Sequence, residues 1–172
     1  MNLTLLFNHD EINKAVYDLA ERIRIDYIGK TLVFIGVLKG SFVFLSDLVR
    51  KTNIPSSVDF IAVESYGRKT TQGKIRLIKD IEIDIRDEHV IVVDDISDSG
   101  NTLNYVIGKL KKKNPASLKT CTIMKRVGVD NRNNPDYYAL LVPEGDWVVG
   151  YGMDDKEQGR NLPNIYISRK VE

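Results

Sequence analysis

What this chain has little of narrows its chemistry before any motif is considered. Its 172 residues include a single cysteine, Cys121, so no disulfide can form within it. Cys121 sits in the apolar run from Leu118 to Met124, where it reads as a small core residue rather than a nucleophile. Two histidines and one cysteine do not suggest a zinc site. Basic and acidic residues number 25 and 24, a net charge of +1, so composition gives no argument for nucleic acid or a membrane surface as main partner. No stretch approaches the roughly 18 consecutive apolar residues of a membrane-spanning helix, and the first residues lack a basic segment followed by an apolar one. A cytoplasmic protein is the expectation. The length suits one well-buried core, so residues 1–172 are expected to form a single domain.

What is there is an alternation of strand-like and helix-like segments, which predicts an α/β fold with a mainly parallel sheet flanked by helices. Ile12, Val16, Leu19, Ala20 and Ile23 share one face of a first helix that Asp10 can cap and Gly29 can stop. Thr31 to Val37 reads as a buried strand, Ser41 to Lys51 as a second helix, and Ser57 to Tyr66 as a long strand. The polar, glycine-containing stretch from Gly67 to Lys74 reads as a mobile loop before a strand at Ile75 to Lys79. With His89 to Asp95 and Ser117 to Met124 this makes a sheet of five strands. Lys111, Lys112 and Lys113 close the helix that begins at Asn101, where they offset its negative end rather than bind nucleic acid.

The densest chemistry lies between Val90 and Leu103. An apolar, β-branched run of the kind found in a strand covered on both faces ends in Asp94 and Asp95. Asp98, Ser99, Gly100, Asn101 and Thr102 follow, and Leu103, Ile107 and Leu110 then set a helical period. Such a turn offers backbone N–H groups and two hydroxyls at a helix N-terminus, an anion site. The plainer alternative is an acidic turn in which one side chain caps the helix. A cap needs one residue, however, and three carboxylates within five positions repel one another. Carboxylates beside a phosphate cradle suit a ligand with a phosphate at one end and sugar hydroxyls, with Mg²⁺, at the other.

This string resembles the phosphoribosyl pyrophosphate (PRPP) motif of the type I phosphoribosyltransferases: a hydrophobic strand, two acids, two spacers, Asp, Thr or Ser, Gly, a spacer, then Thr. It departs only in having Asp94 where the family often has Glu, and Ser99 where it often has Thr. The resemblance implies the type I fold with a small hood over the sheet built from the chain termini, residues 1–28 and 161–172. It implies that Asp94 and Asp95 hold the ribose hydroxyls, directly or through Mg²⁺, and that Ser99, Gly100, Asn101 and Thr102 cradle the 5-phosphate.

Three further segments narrow the resemblance to the 6-oxopurine phosphoribosyltransferases. Leu38-Lys39-Gly40, at the carboxyl end of the first buried strand, is similar to their pyrophosphate loop, in which the peptide before the lysine can be cis. Ligands of open α/β sheets bind at such strand ends, so this turn and the one from Asp94 to Thr102 can share a crevice. Met124-Lys125-Arg126 and the segment from Asp146 to Asp154 look like their purine-recognition elements. Lys125 would donate to the purine O6, Trp147 would stack on the ring, and Val148 would offer its backbone to the ring edge. Asp154 would help hold Mg²⁺, and Arg160 would meet the pyrophosphate. Taken singly, Trp147 reads as ordinary core and Lys125 as an exposed strand end. An extra residue at Glu144-Gly145-Asp146, and Asp155 where the family often has Tyr, are departures at the pocket rim. Ser65-Tyr66 resembles the start of the flexible loop that closes over the site.

The function implied is Mg²⁺-dependent transfer of the phosphoribosyl group from PRPP to hypoxanthine and guanine, with Asp98 taking the N7 proton and with a homodimer or homotetramer as the assembly. The rivals are a xanthine-preferring enzyme and a PRPP-sensing regulator on the same fold. The balanced charge and the presence of Asp98, Lys125 and Asp154 argue against the regulator. An aspartyl-phosphate receiver would carry its acids earlier in the chain.

Overall fold

A computed structural model describes residues 2–66, 74–98, 100–128 and 134–169. The strands are β1 (Asn2–Phe7), β2 (Leu32–Leu38), β3 (Ser56–Tyr66), β4 (Lys74–Lys79), β5 (His89–Ser97), β6 (Ser117–Arg126), β7 (Tyr137–Val142), β8 (Trp147–Val149) and β9 (Ile165–Arg169), and the helices are α1 (His9–Asp26), α2 (Phe42–Thr52) and α3 (Asn101–Leu110). The main sheet runs β4-β3-β2-β5-β6-β7 and is parallel except for β4, which pairs antiparallel with β3. The fold class is the one expected, with six strands rather than five. The added strand is β7, an edge strand whose short apolar run from Tyr137 to Val142 is buried only at its two ends, unlike the covered centres of β2 and β5.

Val90 to Val93 in β5 and Phe34 and Ile35 in β2 are fully buried because helices cover both faces of the sheet. On one face Ile12, Val16 and Leu19 of α1 and Phe44 and Leu48 of α2 pack with Phe34, Ile91 and Val93. On the other, Leu103, Val106 and Leu110 of α3 pack with Val33, Ile35, Val90 and Val92. Cys121 is fully buried in the first cluster, and burial pushes its thiol pKa up, so it is a core residue as expected. Among the described residues no helix is long and apolar enough to cross a membrane.

The first helix carries its expected apolar face but a different cap. Asn8, not Asp10, is the N-cap: its side chain accepts from the Glu11 N–H at 3.0 Å while the Glu11 carboxylate accepts from the Asn8 N–H at 2.8 Å. This reciprocal capping box satisfies two donors at once, which a single Asp cannot do. Of the N-terminal segment expected in the hood, only β1 joins one. It pairs antiparallel with β9, and β9 with β8, in a separate three-stranded sheet, whereas α1 packs on the main sheet.

Strand order positions the site. The chain passes from β2 through α2 to β3 on one side, then returns to β5 beside β2 and continues through α3 to β6 on the other. The carboxyl ends of β2 and β5 therefore flank the point where the winding reverses, the place where open α/β sheets form a crevice.

Asp59 on β3 ties this framework to the connection before β5. Its carboxylate accepts from the N–H groups of Phe60, Glu82 and Ile83 at 2.6, 2.6 and 3.0 Å, and Lys79 Nζ lies 3.4 Å away. Burial pushes the carboxyl pKa up, but the three N–H donors and Lys79 outweigh it and hold the pKa below the ordinary range. A lowered folded-state pKa stabilises above the unfolded value and loses that contribution as pH falls through the folded one. Asp59→Ala is expected to cost about 2 kcal/mol at neutral pH by denaturant unfolding, with the gap from the parent protein closing in acid. A gap independent of pH would remove the charge from the explanation.

Candidate active site

β5 delivers the carboxylates. The strand runs two residues past Asp95, with Ile96 paired to Met124 and Ser97 to Lys125, so Asp94 and Asp95 belong to the ladder rather than to a loose turn. The Asp95 N–H donates to Asp94 Oδ1 at 3.0 Å and the Ile96 N–H to Asp95 Oδ1 at 2.7 Å. Burial pushes Asp94 well above the ordinary carboxylate range, and the neighbouring Asp95 charge adds to it. Burial likewise raises Asp95, with hydrogen bonds and the Arg160 charge acting the other way. The pair is poorly compensated inside the free protein.

The loop after β2 lies against this pair. The peptide bond between Leu38 and Lys39 is cis, as the resemblance allows. A Cβ on Gly40 would stand 1.7 Å from Asp95 Oδ2, so only glycine lets the loop backbone touch the carboxylate. Gly152, at φ +99°, packs against the same loop, and a Cβ there would meet the Gly40 carbonyl at 2.5 Å. At the start of α3 the N-cap is Gly100, at φ +73°, so none of the three acids sits in the capping position. The acidic turn is therefore not explained by capping.

These elements enclose a cavity of about 320 Å³. Asp94, Asp95 and Asp98 form one part of its wall, Leu38, Lys39, Gly40 and Arg160 another, and Gly100 and Thr102 bring the amino end of α3 to it. An adjoining cavity of about 210 Å³ is lined by Arg126, Trp147, Val148 and Met153 and shares Asp95, Asp98 and Asp154 with the first. Two chambers, one bordered by cations and a helix N-terminus and one by an aromatic ring and apolar side chains, thus meet over three carboxylates. Asn101 is the first residue of α3. Ser65 and Tyr66 end β3, paired with Ile75 and Lys74 of β4. The rest of that loop, 67–73, and Ser99 lie outside the described residues.

The apolar chamber departs from expectation in one respect. Arg126, not Lys125, lines it. The two are consecutive on β6, and successive side chains of a strand point to opposite faces. Lys125 Nζ lies over the Tyr138 ring, 5.2 Å from its centroid. Arg126, 11% exposed, reaches Asp98 Oδ1 at 3.3 Å and donates to the carbonyls of Pro143 and Asp146 at 2.8 and 2.9 Å. It braces Asp98 and the rim segment with one guanidinium. Strand alternation separates the two residues, but which of them faces the chamber is set by how β6 pairs with its neighbours. Trp147 is exposed on β8, and its indole N–H donates to the Asp154 carbonyl at 3.3 Å.

Among the described residues no three or more His, Cys, Asp and Glu side chains gather closely enough to hold a metal ion. Asp94 and Asp95 offer a hard cation charge and oxygen, and its remaining ligands would have to come from substrate and water, as is usual for Mg²⁺.

Residues 3–156 match the phosphoribosyl transferase domain family. The chain is 39% identical over 170 residues to a hypoxanthine-guanine phosphoribosyltransferase of Aquifex aeolicus, covering 96% of this chain and 94% of that protein. It is 36% identical over 169 residues to the enzyme of the same name from Mycobacterium tuberculosis, covering 94% and 84%. A crystal structure of a hypoxanthine-guanine phosphoribosyltransferase from Bacillus anthracis superposes with a TM-score of 0.90 at 39% identity, covering 96% of this chain and 98% of that one.

The difference between the two β6 cations is measurable without any assay of activity. Arg126→Met strips a donor from two carbonyls and a carboxylate and should lower unfolding stability by about 2 kcal/mol. Lys125→Met removes one cation–π interaction and should lower it by less than about 1 kcal/mol. Equal decreases in a denaturant titration would contradict the bracing role given to Arg126.

Proposed function

The chain belongs to the phosphoribosyltransferase family, and from that premise we propose that it transfers the phosphoribosyl group of PRPP to hypoxanthine and guanine in purine salvage, releasing pyrophosphate. The observation that carries this reading is the pair of chambers sharing Asp95, Asp98 and Asp154. Transfer between a charged donor and an aromatic acceptor needs two such compartments, with the reacting carbon at their junction.

In this reading the whole chain acts as one domain. PRPP occupies the larger chamber, its 5-phosphate at Ser99 to Thr102, its ribose hydroxyls at Asp94 and Asp95, and its pyrophosphate at Lys39, Gly40 and Arg160. The purine occupies the smaller chamber, stacked on Trp147 with its edge at the Val148 backbone. Lys125 donates to O6 once its ammonium leaves the Tyr138 ring. A site built to bond that oxygen disfavours a 6-amino purine. The bond from ribose C1 to the pyrophosphate oxygen breaks as the bond from C1 to N9 forms, and the N7 proton passes to Asp98, whose carboxylate Arg126 keeps in place. Asp94 and Asp95 at the ribose end and Asp154 at the pyrophosphate end would each offer oxygen to Mg²⁺, whose coordination substrate and water would complete and which would neutralise charge on the leaving pyrophosphate. The loop beginning at Ser65-Tyr66 shields the ribosyl carbon from water.

The test is to incubate the purified protein with PRPP, Mg²⁺ and each of hypoxanthine, guanine, xanthine and adenine. Inosine and guanosine monophosphates should accumulate with equimolar pyrophosphate, and EDTA should stop the reaction. Asp98→Asn should lower kcat by on the order of 10²–10⁴. Turnover confined to xanthine would favour the xanthine enzyme. PRPP binding and heat protection with no nucleotide from any oxopurine would favour the regulator.

A further inference from the structure

One anion already stands among the cations of the larger chamber, and it comes from the chain. The Glu157 carboxylate receives Lys39 Nζ on both oxygens at 3.1 Å and Arg160 NH2 at 3.3 Å. The backbone is shaped to put it there. Lys156 and Glu157, at φ 53° and 64°, are the two central residues of a tight hairpin in which Asp155 and Gln158 exchange backbone hydrogen bonds at 2.9 and 3.1 Å. The Glu157 N–H donates to Asp154 Oδ2 at 2.8 Å, and Arg160 bridges back to Asp154 Oδ1 at 2.7 Å, so the turn from 154 to 160 closes on itself. Lys39 comes from the loop after β2, 118 positions earlier, so the contact joins two distant segments, each of which contributes residues to the chamber wall. Lys39 and then Arg160 hold the Glu157 carboxyl below its ordinary pKa, as befits an occupied anion position.

We infer that Glu157 is an internal stand-in for pyrophosphate: it holds Lys39 and Arg160 converged and charge-paired between turnovers, must be displaced when PRPP enters, and returns to help expel the product. The inference rests on the reading that these two cations meet pyrophosphate. The geometry suits displacement, because Lys39 and Glu157 are 67% and 66% exposed and water screens the pair. A buried pair would resist opening. Asp154 keeps Arg160 in place when Glu157 leaves, so the cradle does not collapse with its stand-in gone.

Glu157→Gln removes the competing charge while keeping the side chain's shape. It should tighten binding of Mg²⁺-pyrophosphate, measured by calorimetry without turnover, by roughly two- to fivefold, the range set by exposed ion pairs. The KM for PRPP should fall in parallel, while the KM for hypoxanthine stays fixed. Glu157→Asp, whose carboxylate is one methylene short of the cations, should shift in the same direction. Glu144→Gln, at an exposed acid on the other rim, should leave pyrophosphate binding unchanged. Unchanged or weaker pyrophosphate binding by Glu157→Gln overturns the inference, as does an equal gain from Glu144→Gln, which would reduce the effect to net charge. Failure of the transferase reading looks different: the parent protein and Glu157→Gln would bind pyrophosphate with the expected ratio while neither made nucleotide. If the parent bound no pyrophosphate at all, the inference would fall.

Discussion

Two carboxylates held side by side at the buried end of a central strand are the constraint around which this molecule is arranged. Asp94 and Asp95 resist ionisation because burial denies them water, and the Asp95 charge pushes Asp94 up further. In a protein marginally stable overall, such a pair costs stability that the rest of the fold offsets, and a cation or ligand that binds these oxygens relieves it. The neighbouring sequence accommodates the pair. Gly40 removes the side chain that would collide with Asp95, and Gly152 lets a second backbone close over the same loop. The covered strands β2 and β5 fix the two turns rigidly, and the reversal of winding between them leaves the crevice open.

Around that pair the charges of the free protein form local circuits. Lys39, Glu157, Arg160 and Asp154 make one, and Arg126 with Asp98 and two carbonyls makes another. The first is exposed enough to open for a ligand, while the second centres on a guanidinium largely removed from solvent. The difference in burial separates a part of the site that exchanges partners from a part that keeps its shape. A carboxylate that accepts a proton needs the latter, since misplacement of a reacting group by an ångström is costly.

The portion of the site that is contiguous in the chain is legible in the sequence. From Val90 to Thr102 a strand, a turn and a helix start carry their residues in fixed order, so the types and spacing alone indicate a sugar phosphate. Leu38 to Gly40 becomes readable once that motif places it at a neighbouring strand end. Arg126 is overshadowed by Lys125 in the sequence, because a strand's facing is set by its neighbours and one position reverses it. Glu157 has no local signal: its role comes from a left-handed turn and a partner 118 positions away. The fold class follows from alternating patterns, whereas β7 and the antiparallel sheet of β1, β8 and β9 are short or half-exposed and depend on pairing that composition does not encode. Asn8 displaces Asp10 as the cap because Glu11 is spaced to reciprocate.

If Asp94 and Asp95 disfavour the free fold and exist to receive the ribose end of PRPP, affinity and stability must respond to their removal in opposite senses. Calorimetric titration of PRPP into the parent protein and into the double variant Asp94→Asn/Asp95→Asn, with Mg²⁺ present and with Mg²⁺ withdrawn, tests this together with the melting temperature of each. The parent should bind PRPP tightly only with Mg²⁺. The double variant should bind at least about 10²-fold more weakly, because two charge-assisted hydrogen bonds to the ribose end are removed. It should nevertheless melt no lower than the parent, because neutral amides escape the desolvation and repulsion that raise these carboxyls. A double variant that binds PRPP as the parent does, or that melts well below it, would contradict the account.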